Sequence, residues 1–185
     1  MEKEESPVIV VGIPRSGTSN VTRILCDMGY YMGLEYAPSD WRNPDGFFED
    51  INIVNLNEAF VADRLGYMEW RSKICSYFKQ MMDASPTDKW GFKDTRLLYG
   101  AMMGSMLEIF ESPTFVLCKR DPELVKKSLM KCFGYSQFDT EGFHRNRTIS
   151  IERLEKYINP IVIDYKDKYL AEGEILDVFR KEGLV

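Results

Sequence analysis

A glycine-containing loop near the amino terminus has the composition of an anion-binding site. The loop Gly12–Ser19 reads GIPRSGTS and lies between the β-branched run Val8–Val11 and a segment with helical spacing of apolar residues. Backbone N–H groups in such a turn, together with the positive end of the following helix, bind phosphate-like anions. Glycines allow a close approach of the backbone, and further donors come from the side chains of Arg15, Ser16, Thr18 and Ser19. The alternative is an ordinary turn with a solvated arginine.

The loop departs from the Walker A pattern GxxxxGK[ST] at one position. Thr18 stands where that pattern has its lysine. Kinases and ATPases use the lysine on the β- and γ-phosphates and the next hydroxyl on a magnesium ion. The substitution therefore argues against nucleoside triphosphate chemistry.

Two segments together resemble the donor-binding motifs of sulfotransferases that use 3′-phosphoadenosine-5′-phosphosulfate (PAPS). The run Pro14–Ser19 is similar to the family's 5′-phosphosulfate loop, in which the basic residue precedes Ser-Gly. The segment Val116–Leu129 resembles its 3′-phosphate motif, with Arg120 at the end of a strand and Ser128 on the next helix. The carboxyl edge of a strand is where α/β folds bind ligands, and eight residues carry the chain about two helical turns further. The alternative is that Arg120 pairs with an acidic neighbour on the surface.

The resemblance covers nearly the whole chain and is closest to the bacterial-type branch of the family. Trp90–Arg96 and Asn43–Glu49 are similar to two further family stretches. It implies PAPS as donor, 3′,5′-adenosine bisphosphate as product, and binding through Arg15, Ser16, Gly17, Thr18, Ser19, Arg120 and Ser128.

The same resemblance implies catalytic roles for Arg15, Lys93 and Glu49. One branch of the family has a histidine base where this chain has Thr95, whereas other branches use a glutamate that corresponds to Glu49. Lys93 would stabilise charge on the departing phosphate. Asp94 is a second candidate for the base, although a carboxylate between two cations is more typical of an orienting partner. Glu49 has an alternative role as a cap of the helix near Ile51.

The pattern of apolar residues predicts alternating strands and helices. Strands are expected at Val8–Val11, Trp90–Lys93, Thr114–Cys118 and Ile161–Ile163. Helices are expected at Thr18–Met28, Ile51–Leu65, Arg71–Asp83, Leu97–Phe110, from Asp121 onward, Ile151–Tyr157 and Glu172–Lys181, with a polar irregular loop at Phe133–Ser150. Such alternation predicts a central parallel sheet covered on both faces. We therefore expect one P-loop-NTPase-like α/β/α domain over residues 1–185.

Composition excludes several classes of protein. A net charge of −5 argues against a general nucleic-acid binder, and a single histidine argues against a histidine-based metal site. Four cysteines without CxxC spacing suggest reduced thiols, and no apolar run is long enough for a signal peptide or a membrane span. We predict a cytoplasmic protein with no metal, no membrane association and no nucleic-acid partner.

Several points stay open at the level of sequence. The chain has Asn20 where some sulfotransferases have a tryptophan that packs on adenine, and it ends at Val185, where relatives often continue into a basic closing loop. The absence of this closing loop predicts weaker or more exposed donor binding, or closure by the Phe133–Ser150 loop or by a second subunit. A P-loop nucleotide or small-molecule kinase and a non-catalytic nucleotide-binding relative remain alternatives. We expect a small-molecule or carbohydrate acceptor, but a lipid headgroup and a peptide tyrosine also stay open, and the oligomeric state is not specified.

Overall fold

Four parallel strands form the centre of the protein. The structure, a computed structural model, describes residues 6–99, 101–133, 140–165 and 170–185. The strands are β1 (Val8–Gly12), β2 (Gly91–Lys93), β3 (Thr114–Arg120) and β4 (Ile161–Tyr165), in the order β2-β1-β3-β4. All three neighbouring pairs are parallel, as predicted, and β3 and β4 each extend two residues beyond the predicted ends.

Seven α-helices and one short 3-10 helix connect these strands in the described part of the chain. The α-helices are α1 (Thr18–Asp27), α2 (Ile51–Val61), α3 (Tyr67–Ala84), α4 (Ala101–Ile109), α5 (Pro122–Phe133), α6 (Thr140–Tyr157) and α7 (Glu172–Lys181), and the 3-10 helix is Thr95–Leu98. Among the described residues, none of these helices is both long enough and apolar enough to cross a bilayer.

The sheet has a hydrophobic core on each face, so the architecture is the predicted three-layer α/β/α arrangement. On one face the β-branched residues of β1 and β3 pack against α1 and α7, through Val21, Leu25 and Phe179. On the other face the alternate strand residues pack against α2, α3, α4 and α6, with Trp70 and Phe78 fully or almost fully buried. Strands covered on both faces read as continuous apolar runs, which is how β1 and β3 read.

Two predicted segments differ from the structure. The polar stretch expected to be an irregular loop contains the first part of α6, which begins at Thr140; residues 134–139 lie outside the described part. Over residues 147–150 of α6 the two buried residues, Arg147 and Ser150, are polar, whereas the apolar residues that pack on the core, Ile151 and Leu154, come later in the helix.

The helix predicted over Leu97–Phe110 is divided into two. Its first residues belong to the 3-10 helix, where Asp94 caps the end by accepting a hydrogen bond from the Arg96 N–H at 2.8 Å. Tyr99 then takes an extended conformation, so that α4 begins only at Ala101. The division leaves Arg96 close to the end of β2.

The strand order creates a crevice at one edge of the sheet. From β1 the chain moves outward to β2 and then crosses over to β3 on the opposite side of β1. In open α/β sheets, ligands bind beyond the carboxyl ends of the strands at this change of direction. The loop after β1 and the end of β3 both lie there, because Gly12 is paired with Cys118.

Candidate functional site

The loop between β1 and α1 has a tight backbone in which two positions require glycine. Gly17 is the N-cap of α1 with φ 94°, and Arg15 also has a positive φ of 76°. A Cβ atom on Gly17 would lie 2.3 Å from the Tyr165 ring, and one on Gly12 would lie 2.7 Å from the Cys118 carbonyl oxygen. The loop is therefore pressed against β3 and β4, with the start of α1 directed toward the crevice.

Ser16 in this loop carries a buried hydroxyl. The residue is 1% exposed, and among the described residues its Oγ has no hydrogen-bond partner. Its backbone N–H donates to Ile13 at 3.0 Å and closes the turn. A buried hydroxyl beside a helix N-terminus is the kind of donor that an anion uses.

The two predicted anion-binding clusters lie in contact with each other. The Arg15 Nε donates a hydrogen bond to the Ser128 Oγ at 3.1 Å, although the two residues are 113 positions apart. The Arg120 Nη1 donates to the Arg15 carbonyl oxygen at 3.1 Å. Asp121 caps α5, since its side chain accepts the N–H groups of Glu123 and Leu124. The two clusters thus meet at the ends of neighbouring strands.

The predicted catalytic residues also come together. Lys93 is 2% exposed at the end of β2, and its Nζ lies 3.1 Å from Oε1 of Glu49. The same Nζ donates to the Ser19 Oγ at 3.0 Å and to the Phe47 carbonyl oxygen at 2.6 Å. One ammonium group therefore links the anion loop to the glutamate that resemblance predicts as the base.

Arg96, on the 3-10 helix, approaches Glu49 from its other side. Its Nη1 lies 3.5 Å from Glu49 Oε2 and 3.0 Å from Asp94, and its Nη2 lies 2.6 Å from Glu58. Burial acts to lower the pKa of Arg96, but the carboxylates of Asp94 and Glu49 outweigh it and raise the pKa above its ordinary value. Arg96 is consequently a permanent cation beside Glu49.

Asp94, the second candidate for the base, is fully buried. Its side chain accepts hydrogen bonds from Asn57 at 2.8 Å and from the Arg96 guanidinium at 3.0 Å, in addition to the 3-10 cap. Burial raises the pKa of Asp94, whereas Arg96 lowers it. This geometry favours an orienting role for Asp94, because its oxygens are engaged away from the crevice.

The segment Asn43–Asp50 forms the opposite wall of the site. The Asn43 amide donates to the Ser19 Oγ at 3.1 Å and also to the Gly46 carbonyl oxygen. Asp50, and not Glu49, caps α2: its Oδ1 accepts the N–H groups of Asn52 and Ile53. The capping role considered for Glu49 was therefore wrong, and its carboxylate is available to the crevice.

Two clefts share the anion loop as a common wall. The first, of about 820 Å³, is lined by Gly17, Asn20 and Leu170 among others, and the Asn20 amide donates to the Tyr165 hydroxyl at 3.2 Å. The second, of about 600 Å³, contains Glu49 and Lys93. Arg15, Thr18, Ser19 and Asn43 line both clefts. A ligand in the first cleft can therefore present one end to the second.

Arg120 lies somewhat apart from these clefts. It lines a neighbouring cleft of about 590 Å³ together with Lys119 and Lys127, and it reaches the anion loop through the Arg15 carbonyl oxygen. Arg120 therefore contacts the backbone of the loop from the neighbouring cleft, and Ser128 contacts the loop through the Arg15 side chain.

Three residues near the site were not assigned a role from the sequence. Asn43 and Arg96 belong to the two stretches that showed the family resemblance, so a signal for them was present. No signal in the sequence pointed to Arg42. Its backbone carbonyl oxygen accepts the second hydrogen bond from Arg15, at 3.0 Å.

Comparison with known proteins identifies the fold. No family model matches the sequence, and no curated protein matches it either. Among solved structures, a sugar kinase from a Janibacter species has a TM-score of 0.55 at 16% identity, over 93% of this chain and 90% of that one. A thymidylate kinase from Candida albicans also has a TM-score of 0.55, at 13% identity over 97% and 93% of the two chains.

A sulfotransferase domain from the curacin biosynthetic pathway is similar as well. Its TM-score is 0.50 at 11% identity, over all of this chain and 72% of that one. At such low identities these likenesses establish a P-loop-type α/β/α fold, which kinases and a sulfotransferase share.

Proposed function

We propose that this protein is a PAPS-dependent sulfotransferase that transfers a sulfuryl group to a hydroxyl or amine of a small-molecule or carbohydrate acceptor. The observation that carries the proposal is the position of Lys93. Its ammonium group contacts both the last residue of the anion loop and the carboxylate of Glu49. A charge-stabilising cation and a base thus stand together where the anion loop opens into the second cleft.

The residues of the crevice suit a donor with two anionic ends. The loop Arg15–Ser19 would hold the 5′-phosphosulfate, since it combines a helix N-terminus, a close-approach glycine and the buried Ser16 hydroxyl. Ser128, with Arg15 bound to it and Arg120 in contact with the loop backbone, would hold the 3′-phosphate. Bound PAPS supplies the activated sulfuryl group.

The remaining chemistry belongs to the chain itself. As the acceptor oxygen forms its bond to sulfur, its proton passes to the Glu49 carboxylate, and the bond between sulfur and the bridging phosphate oxygen breaks. Lys93 and the backbone N–H groups of the loop stabilise the negative charge that then develops on the phosphate. Arg96 holds the Glu49 carboxylate in place from its other side.

A kinase is the second candidate, because one observation favours it. Lys93 brings an ammonium group to Ser19 from a neighbouring strand, and this cation partly replaces the missing Walker lysine. The fold likenesses include both kinases and a sulfotransferase and so favour neither. A third candidate is a nucleotide-binding relative without turnover.

Isothermal titration calorimetry with two nucleotides separates the first two candidates. We expect 3′,5′-adenosine bisphosphate, without magnesium, to bind at least about tenfold more tightly than ATP with magnesium, because only the bisphosphate engages both clusters. Tight binding of ATP–Mg²⁺ with no preference for the bisphosphate would overturn the proposal in favour of a kinase.

The same titration on Arg15→Met and Arg153→Met provides a matched pair. Arg15 contacts Ser128 and Arg42, whereas Arg153 is exposed on α6. Arg15→Met should weaken bisphosphate binding by about tenfold or more, and Arg153→Met should leave it unchanged.

A further inference from the structure

The segment that carries Glu49 lies between the two clefts and contributes side chains to both. Phe47 and Glu49 line the second cleft, whereas Phe48, which stands between them in the chain, lines the first. Among the described residues that line the first cleft, Phe48 is the one with an aromatic ring. The segment thus places a single aromatic side chain on the side of the first cleft.

Phe48 has a backbone conformation that phenylalanine rarely adopts. Its φ is 52°, in the left-handed region, where a bulky side chain is strained. Hydrogen bonds to the preceding residue fix this conformation, because the Phe47 carbonyl oxygen accepts from Lys93 at 2.6 Å and from the Ser19 Oγ at 3.2 Å. Backbone strain that the surrounding structure enforces is typical of binding sites. The strain at Phe48 therefore directs attention to what its ring contacts.

The Phe48 ring is held in one orientation by its neighbours. Its centroid lies 6.0 Å from that of Tyr36, and the two ring planes are 64° apart, which is an edge-to-face contact. A Cβ atom on Gly46 would lie 3.6 Å from the ring. A perpendicular neighbour covers at most one face of a ring, and Phe48 stays only half-buried at the wall of the cleft. The ring is consequently preorganised and still accessible.

The first cleft begins at the anion loop and follows α1. Gly17, Asn20 and Arg23 line it at intervals of three residues, which is the spacing of one helix face. The helix rises roughly 9 Å over these six positions. Leu170 lines the same cleft, and Glu172, two positions later, pairs with Arg23 at 3.0 Å. An anion at the loop thus leaves room along α1 for a sugar and a planar ring.

We propose that Phe48 stacks on the nucleobase of the bound nucleotide and so determines that the first cleft binds a nucleoside. Aromatic side chains stack on bases of any sequence, because every base has a π-face. Leu170 supplies the other large apolar side chain among the described lining residues. This inference rests on the part of the proposed function that places a nucleotide in the first cleft.

The test compares two ligands that differ by the base alone. We would titrate adenosine 5′-phosphate and ribose 5-phosphate into the full chain by isothermal titration calorimetry, since both carry a phosphate for the anion loop. The nucleotide should bind about tenfold or more tightly than the sugar phosphate. Equal affinities, or no binding of adenosine 5′-phosphate at millimolar concentration, would overturn the inference.

Variants at one position assign this preference to the ring. Phe48→Leu keeps an apolar side chain on the same strained backbone, so it should weaken adenosine 5′-phosphate by about fivefold or more and ribose 5-phosphate by less than about twofold. Phe48→Tyr should retain the parent's preference. Tyr157→Leu, which removes a ring that is exposed on α6, should leave both affinities unchanged. Equal weakening of both ligands in Phe48→Leu would mean that Phe48 acts through the fold, and would contradict the assignment.

A fluorescent variant observes the contact directly. An indole in the place of the ring is quenched when a base stacks on it. The emission of Phe48→Trp should therefore fall further than that of the parent protein when adenosine 5′-phosphate is added, and it should not respond to ribose 5-phosphate. Equal quenching of parent and variant would show that the base lies elsewhere.

These outcomes are separate from the choice between sulfotransferase and kinase. If ATP–Mg²⁺ binds with no preference for the bisphosphate, the proposed function fails, and the comparison of nucleotide with sugar phosphate still decides the role of Phe48. If the bisphosphate is preferred but the base contributes nothing to affinity, the inference about Phe48 fails and the sulfotransferase proposal stands.

Discussion

The two walls of the crevice are built in different ways. The anion loop Gly12–Ser19 is continuous with a strand and a helix, and its turn is closed by a local hydrogen bond between Ser16 and Ile13. The segment Asn43–Asp50 is held by distant groups: Lys93 donates to the Phe47 carbonyl oxygen, and the Tyr77 hydroxyl donates to Asp50 at 2.8 Å. The first wall, the local wall, has a turn that closes locally and is then supported by contacts with Arg120 and Tyr165. In the second wall, the assembled wall, the end that carries Glu49 depends on tertiary contacts.

In the proposed enzyme, this difference assigns nucleotide binding to one wall and the proton transfer of the reaction to the other. The local wall carries the donors for the anion, whereas the assembled wall carries Glu49. Changes in the assembled wall should therefore impair turnover while nucleotide binding persists, and changes in the local wall should impair both.

The largest effect should come from Glu49→Gln in the assembled wall. Glutamine cannot accept the acceptor's proton, so turnover with PAPS should fall by roughly 10²–10⁴-fold, while the affinity for 3′,5′-adenosine bisphosphate changes by less than about threefold. Glu58→Gln is the control, because Glu58 also pairs with Arg96 but its side chain is half exposed; it should lose less than about tenfold. Steady-state kinetics with calorimetry checks both, and full turnover in Glu49→Gln would refute its role as the base.

Asp50→Ala should produce the next largest effect, on stability. The buried carboxylate accepts the N–H groups of Leu34, Glu35, Asn52 and Ile53, and the substitution leaves these donors without their acceptor. We expect a loss of about 3–4 kcal/mol in the free energy of unfolding, measured by urea denaturation. Asp88→Ala, at an exposed position, should change it by less than about 0.5 kcal/mol. Similar values for the two variants would show that the assembled wall does not depend on Asp50.

Gly17→Ala should have a somewhat smaller effect on stability. The new methyl group meets the Tyr165 ring and the backbone keeps a positive φ, so we expect a loss of about 2–3 kcal/mol together with loss of nucleotide binding. Gly29→Ala isolates the backbone contribution, because Gly29 has φ 88° and, among the described residues other than its chain neighbours, no atom lies within 4 Å of its Cβ position. We expect a loss of about 1–2 kcal/mol there. Equal losses in the two variants would mean that contact with Tyr165 is unimportant.

The local parts of the fold could be predicted from the sequence. The β1–loop–α1 unit, the apolar run of β3 and the Asp121 cap of α5 all depend on residues close together in the chain, and each was confirmed. The neighbouring positions of Arg120 and the anion loop followed from a general rule about strand ends.

The rest of the fold depends on partners that a local pattern does not contain. The part of α6 before Ile151 was missed, and the two residues described as buried there, Arg147 and Ser150, are polar where a hydrophobic pattern requires apolar residues. The family resemblance implied that Arg15 and Ser128 bind the same PAPS molecule. Their direct hydrogen bond, however, depends on the position of α5 and could not be predicted. Likewise, Glu49 was predicted as a base, while its links to Lys93 and Arg96 are known only from the structure.

The central claim is that two anion-binding clusters act on one doubly phosphorylated nucleotide. The most direct measurement compares the affinities of 3′,5′-adenosine bisphosphate and adenosine 5′-phosphate, which lacks the second phosphate, in the parent protein and in Ser128→Ala. We predict that the parent prefers the bisphosphate by about tenfold or more and that Ser128→Ala loses most of this preference without weakening adenosine 5′-phosphate. Equal affinities of the parent protein for the two nucleotides would contradict the account.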